Sequence, residues 1–140
     1  MKSEHERLRA LVAPIFDGAT GGPYTVYLYG SRATGFDRPD SDYDFGLIAP
    51  KPLDRRMLLD LRDRLIDSLP GDPDVDCVDL RRIPLTLAAQ VLETGIVLVP
   101  GDESERAKVE TRLMSMYAAL NEERREIIAD IAERGSIYAR

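Results

Sequence analysis

The sequence lacks most features of secreted, membrane-spanning or nucleic-acid-coating proteins. It has a single cysteine, Cys77, so no intrachain disulfide can form, and we expect a cytoplasmic protein. No apolar run approaches the ~20 residues that a transmembrane helix needs, and the charged N-terminal residues predict no signal peptide. Lys and Arg number 19 against 25 Asp and Glu. This balance argues against direct nucleic-acid binding, which needs clustered cations.

What remains is an ordinary globular composition. The 140 residues contain no repeat and no linker, and we predict a single domain over residues 1–140. The net charge of -6 does not exclude a nucleotide that binds through metal ions, because the metal supplies the positive charge.

Hydrophobic periodicity predicts an α/β (α+β) fold, in which helices pack on a sheet of about four strands. Strands are predicted over residues 24–29, 42–49, 74–80 and 96–99, and helices over residues 3–16, 53–69, about 84–93 and the last 38 residues. Pro14 and the turn residues 18–23 predict the end of the first helix. The apolar stripe of the long last helix predicts packing across the sheet, or alternatively contact with a partner chain.

Gly30 and Ser31 end the first predicted strand. Ser31 is predicted to be the N-cap of a short helical turn. Backbone amides at the start of such a turn attract phosphate, and the serine hydroxyl adds one donor. Gly-Ser turns are usually structural, so this signal is weak alone. Arg32 follows the pair and is predicted either to contact a nucleotide phosphate or to be solvated.

Asp42 and Asp44 open the second predicted strand. Residues two apart on a strand project from the same face, and two like charges so close are unfavourable unless a cation lies between them. Oxygen ligands select hard cations such as Mg²⁺. The alternative is that both aspartates point to solvent at the edge of a turn. Their position directly after the Gly30-Ser31 turn favours a site for phosphate and metal.

Asp76 lies in the next strand, within the sequence VDCVDL. We predict that this strand is central in the sheet, where an acid flanked by apolar residues is costly unless it is paired with a proton, cation or donor. Three carboxylates on neighbouring strands outline a two-metal site, with ions roughly 4 Å apart. Asp74 and Asp79 are further acids in this strand; strand alternation favours Asp76 or Asp74 over Asp79 as the third ligand.

Gly30-Ser31, the ten residues that follow, Asp42-Tyr43-Asp44 and the later VDCVDL strand together form a specific pattern. This pattern resembles the minimal nucleotidyltransferases of the DNA polymerase β superfamily. Within these, the chain is similar to the MntA-type antitoxins of HEPN/MNT toxin–antitoxin modules, which are type VII-like systems. The resemblance covers nearly the whole chain and implies a polymerase-β-like core with a mixed sheet.

The resemblance also implies roles for single residues. Gly30 and Ser31 would bind the triphosphate of ATP. Asp42, Asp44 and Asp76 would ligate Mg²⁺, and Asp76 would assist the acceptor hydroxyl. Antitoxins of this family transfer AMP from ATP to a tyrosine of the partner HEPN ribonuclease, which silences the toxin. That toxin is expected as a separate chain in a hetero-oligomer, with no role for a membrane.

Two other functions fit the same pattern. Small-molecule nucleotidyltransferases, including those that modify aminoglycosides, share the signature, but 140 residues leave little room for a second substrate-binding domain. A non-catalytic antitoxin would instead neutralise its partner by binding through the long helix.

Overall fold

The structure, a computed structural model, describes the backbone of residues 3–138 and the side chains of residues 3–135. The elements in chain order are α1 (Glu4–Thr20), β1 (Thr25–Tyr29), α2 (Ser31–Thr34), β2 (Tyr43–Ile48), α3 (Arg55–Ser68), β3 (Val75–Asp79), α4 (Leu85–Thr94), β4 (Ile96–Val99) and α5 (Glu103–Tyr138). The predicted order of elements is confirmed. Residues 1–2 and 139–140, included in the predictions of a single domain and of the last helix, lie outside the described residues.

The four strands form one mixed sheet in the order β3-β2-β1-β4. β1 is antiparallel to both β2 and β4, whereas β2 and β3 are parallel. A parallel pair needs a crossover, and α3 supplies it. The carboxyl end of β1 therefore meets the amino ends of β2 and β3 at one edge of the sheet. The predicted mixed sheet of four strands is confirmed. The predicted central position of the Asp76 strand is wrong, because β3 is an edge strand and Asp76 is exposed.

Helices cover both faces of the sheet. One face presents Val26, Leu28, Phe45 and Leu47, which are buried in a core with side chains of α1 and α3. The other face meets α4 and α5 in a smaller cluster of buried residues: Tyr27, Ile48, Leu80, Ala88, Val91 and Leu113. Cys77 is buried in the first of these cores.

The first helix is longer than predicted. Ser3 caps its start, since the Ser3 hydroxyl accepts from the Glu6 amide at 3.1 Å. The prediction that turn residues end the helix before Gly18 is wrong, because α1 continues through Pro14 to Thr20. Phe16, fully buried against Tyr24 and Phe45, anchors this last part. Tertiary packing here overrides the local helix-breaking tendency.

The long helix α5 packs on the domain only near its start. Val109 and Leu113 join the cluster beneath α4, and the Tyr27 hydroxyl donates to Glu110. Further along, Ile127, Ile128 and Ile131 are exposed. Packing across the sheet is thus confirmed for the first turns, and the partner-contact alternative stays a prediction. None of the helices in the described residues is both long and apolar enough to span a membrane.

Candidate active site

Three polar side chains lie side by side where β1, β2 and β3 meet. The strand register pairs Tyr29 with Asp44, and Asp44 with Asp76. Partners in register share a face of the sheet, so these side chains form a row across three strands. Asp42 precedes β2 by one residue and shares the side of Asp44. The structure therefore brings together the three aspartates that were predicted from separate stretches of sequence.

Asp44 lies in an environment that disfavours its charged form. Its carboxylate is half-buried, whereas Asp42 and Asp76 are exposed. Burial raises the pKa of Asp44, and the neighbouring charges of Asp76 and Asp42 raise it further. Repulsion of this kind is relieved when a cation binds between the carboxylates.

Gly30 brings the Gly-Ser turn against this row. Its φ of +74° and ψ of -156° fall in a region that essentially only glycine adopts. A Cβ at this position would lie 2.3 Å from Oδ2 of Asp44. The predicted N-cap is corrected: Gly30, not Ser31, caps α2, and no side-chain hydrogen bond accompanies it. Ser31 instead begins the helical turn, next to the aspartates.

The other two acids of β3 have different surroundings. Asp79 is 1% exposed and its two carboxylate oxygens accept from the amides of Leu53 and Arg81, each at 2.9 Å. This carboxylate therefore fixes the chain before α3. Asp74 precedes β3, and its backbone carbonyl accepts from the Tyr43 amide at 3.0 Å. Asp76 is the acid of this strand in register with Asp44, and its role as third ligand stays a prediction.

Arg32 points away from the row of acids. Its guanidinium donates twice to the backbone carbonyl of Ser41, at 2.7 and 3.1 Å, and lies 3.8 Å from the centre of the Tyr43 ring. The nucleotide contact predicted for Arg32 stays a prediction, and in the structure these donors are used within the chain.

Sequence reasoning missed Tyr29 as a residue of this site. Its hydroxyl lies 3.5 Å from Oδ2 of Asp76 and donates to it. Burial and the charges of Asp76 and Asp44 raise the pKa of this phenol. Antiparallel pairing of β1 and β2 places Tyr29 opposite Asp44. The sequence alone does not give this register, because the loop between the two strands is long.

Carboxylate oxygens are suitable ligands for Mg²⁺. Within the part of the chain that the structure describes, no group of three or more His, Cys, Asp or Glu side chains is arranged as a metal site. The donor chemistry and the charge repulsion at Asp44 nevertheless fit a divalent cation.

Comparison with known proteins agrees with this geometry. Residues 18–104 match the family model described as polymerase beta, nucleotidyltransferase. A relative from Shewanella oneidensis, named protein adenylyltransferase MntA, is 35% identical over 106 residues, which are 76% of this chain and 74% of the relative.

Solved structures show the same similarity. A structure described as a toxin–antitoxin with AMP-PNP superposes with a TM-score of 0.77 at 30% identity, over 89% of this chain and 98% of that one. A second structure, of a tri-AMPylated Shewanella oneidensis HEPN toxin in complex with MNT antitoxin, gives a TM-score of 0.73 at 27% identity, over 91% and 98%. The chain therefore belongs to the polymerase β nucleotidyltransferase family.

Proposed function

We propose that this chain is the antitoxin of a HEPN/MNT toxin–antitoxin pair and transfers AMP from ATP to a tyrosine of its partner toxin. The observation on which the proposal depends is the register that places Asp44 beside Asp76, with Gly30 against the Asp44 carboxylate. The relatives described as a protein adenylyltransferase and as an MNT antitoxin with an AMPylated HEPN toxin support it.

Each element of the site has a part in the reaction. Asp42, Asp44 and Asp76 would hold Mg²⁺, which neutralises charge on the triphosphate when it is bound. Gly30 and Ser31 bind and orient the triphosphate beside the acids. Asp76 accepts the proton of the attacking tyrosine hydroxyl. A bond forms between the tyrosine oxygen and the α-phosphorus, the bond from that phosphorus to the bridging oxygen breaks, and pyrophosphate leaves.

The acceptor is a protein because the domain is small. The described residues form one sheet with its covering helices. The row of acids lies at the edge that the strand ends form, with Asp42 and Asp76 exposed. A large acceptor can approach such an edge directly. We place the reaction in the cytoplasm, where ATP is available to both chains.

The experiment is transfer to the purified toxin, followed by intact-mass measurement and peptide mapping. We expect one or more AMP groups on a toxin tyrosine, with ATP and Mg²⁺ both required. A toxin with that tyrosine changed to Phe is the matched acceptor control. Turnover of small hydroxylated acceptors without the toxin would overturn the protein-acceptor assignment. Full protection of cells by an Asp42→Asn, Asp44→Asn, Asp76→Asn variant would overturn the requirement for catalysis.

A further inference from the structure

We propose that Arg32 is a positioning residue that fixes the Asp42–Asp44 segment relative to the phosphate-binding turn, and that its guanidinium does not bind the nucleotide. This inference rests on the proposed function, because it assigns the residue that orients that site. Arg32 directly follows Ser31 in the chain, yet its guanidinium contacts Ser41, nine residues further on. It therefore connects the two halves of the site.

The first connection is to the backbone just before Asp42. Nη2 and Nε of Arg32 donate to the Ser41 carbonyl at 2.7 and 3.1 Å, so two donors of the planar guanidinium bind a single oxygen. Nη2 also donates to the Pro39 carbonyl at 3.4 Å. Lysine cannot reproduce this fixed two-donor geometry, because its ammonium is a point charge on a flexible stem.

The second connection is to the residue between the two aspartates. The guanidinium carbon lies 3.8 Å from the centre of the Tyr43 ring, in cation–π contact. The Tyr43 ring in turn stacks on Phe45, with centroids 6.2 Å apart and an angle of 9° between the planes. Side chains alternate along a strand, so Tyr43 and Arg32 lie on the opposite side of β2 from Asp42 and Asp44.

The guanidinium is also withdrawn from solvent and partly neutralised. The Arg32 side chain is 9% exposed, and Nη1 lies 3.4 Å from the Asp37 carboxylate. The same loop is closed by the Ser41 hydroxyl, which accepts from the Arg38 amide at 2.7 Å. A buried, ion-paired guanidinium with its donors engaged is poorly placed to bind a triphosphate.

Asp42 needs this support because it precedes the regular strand. The hydrogen bond from the Tyr43 amide to the Asp74 carbonyl fixes the backbone directly after Asp42. The hydrogen bond from Arg32 to the Ser41 carbonyl holds the backbone directly before Asp42. Repulsion between the neighbouring carboxylates of Asp42 and Asp44 would otherwise push them apart.

The test is steady-state kinetics of Arg32→Lys and Arg32→Ala with purified toxin as acceptor. A misplaced catalytic group costs up to ~100-fold, so we expect kcat to fall by about 10- to 100-fold in both variants. We expect KM for ATP to change by less than about threefold, because uniform binding of the substrate is not removed. Direct titration with AMP-PNP should likewise show unchanged affinity.

A matched control lies in the same loop. Arg38 has an exposed side chain and contributes only its backbone to the loop contacts, so Arg38→Ala should keep wild-type kinetics. Tyr43→Leu, which removes the ring beneath the guanidinium, should reproduce the kcat loss, and Tyr43→Phe should restore it. Thermal denaturation confirms that each variant is folded.

The outcomes separate this inference from the proposed function. If the wild-type chain transfers no AMP, the proposed function fails. If the wild type transfers AMP, and Arg32→Ala raises KM and weakens AMP-PNP binding while Arg32→Lys retains activity, Arg32 is a phosphate ligand and the positioning role is wrong.

Discussion

The backbone of Gly30 lies so close to Asp44 that a Cβ atom at position 30 would be 2.3 Å from the Asp44 Oδ2. Because Gly30 immediately precedes Ser31, this contact sets the distance between the proposed triphosphate site and the proposed metal ligand. The glycine is required both for this close approach and for its φ of +74°.

We therefore expect Gly30→Ala to lose AMP transfer by about 100-fold or more, since the methyl group displaces the Asp44 carboxylate. Stability should fall by about 1–3 kcal/mol, the usual cost of a residue held in such a backbone conformation. The measurements are initial rates of transfer and urea denaturation. Gly35→Ala is the matched control: its φ of +84° is also strained, but a Cβ there meets nothing within 4 Å. Equal activity losses in the two variants would contradict the account.

The pKa of Asp44 predicts a stability effect with a definite sign. Because this pKa is raised in the folded state, the folded chain holds the proton more tightly than the unfolded chain, so ionisation destabilises the fold. The cost is absent below the ordinary carboxyl value of 3.8 and present above the raised value. Asp44→Asn should therefore increase the free energy of unfolding near neutral pH in metal-free buffer.

Denaturation of wild type and Asp44→Asn across pH, in the presence of a chelator, measures this effect. The stability difference should shrink as the pH falls through the carboxyl range. Added Mg²⁺ should stabilise the wild type more than the variant. A variant that is less stable than wild type at neutral pH without metal would show that the carboxylate is not under repulsion.

Asp79 is expected to be structural. Asp79→Asn replaces one acceptor oxygen by an amide group facing a backbone N–H, so it should cost about 1–3 kcal/mol in the free energy of unfolding. Asp74→Asn, at an exposed position, should change the same free energy by no more than about 0.5 kcal/mol. Urea denaturation distinguishes them, and equal stabilities would contradict the buried role of Asp79.

Residues 122–134 of α5 are exposed, so removing the chain after Asn121 should change the free energy of unfolding by no more than about 0.5 kcal/mol. Urea denaturation checks this expectation, and a larger loss would mean that the distal helix packs on the domain. Co-purification of the truncated chain with the toxin tests the separate prediction that the exposed stripe contacts the partner.

Much of this arrangement was predictable from local sequence. Period-two patterns predicted the first three strands, a short apolar run predicted the fourth, and Asp42-x-Asp44 predicted two carboxylates on one face of a strand. Strand alternation set Asp79 apart, but the choice between Asp74 and Asp76 depends on a register that is set by long-range pairing. The hydrogen bonds from Arg32 to the Ser41 carbonyl were likewise unpredictable, since they depend on the conformation of the ten-residue loop between Ser31 and Asp42.

The most direct test compares Asp76→Asn with Asp74→Asn in label transfer from α-labelled ATP to the purified toxin. The two acids lie two residues apart, but only Asp76 lies within β3 and in register with Asp44. We predict that Asp76→Asn, like Asp42→Asn and Asp44→Asn, loses transfer by at least about 100-fold, as expected when a group that positions the reaction is removed, while Asp74→Asn keeps wild-type rates. Wild-type transfer by Asp42→Asn and Asp44→Asn, or equal rates for Asp76→Asn and Asp74→Asn, would contradict the proposed active site.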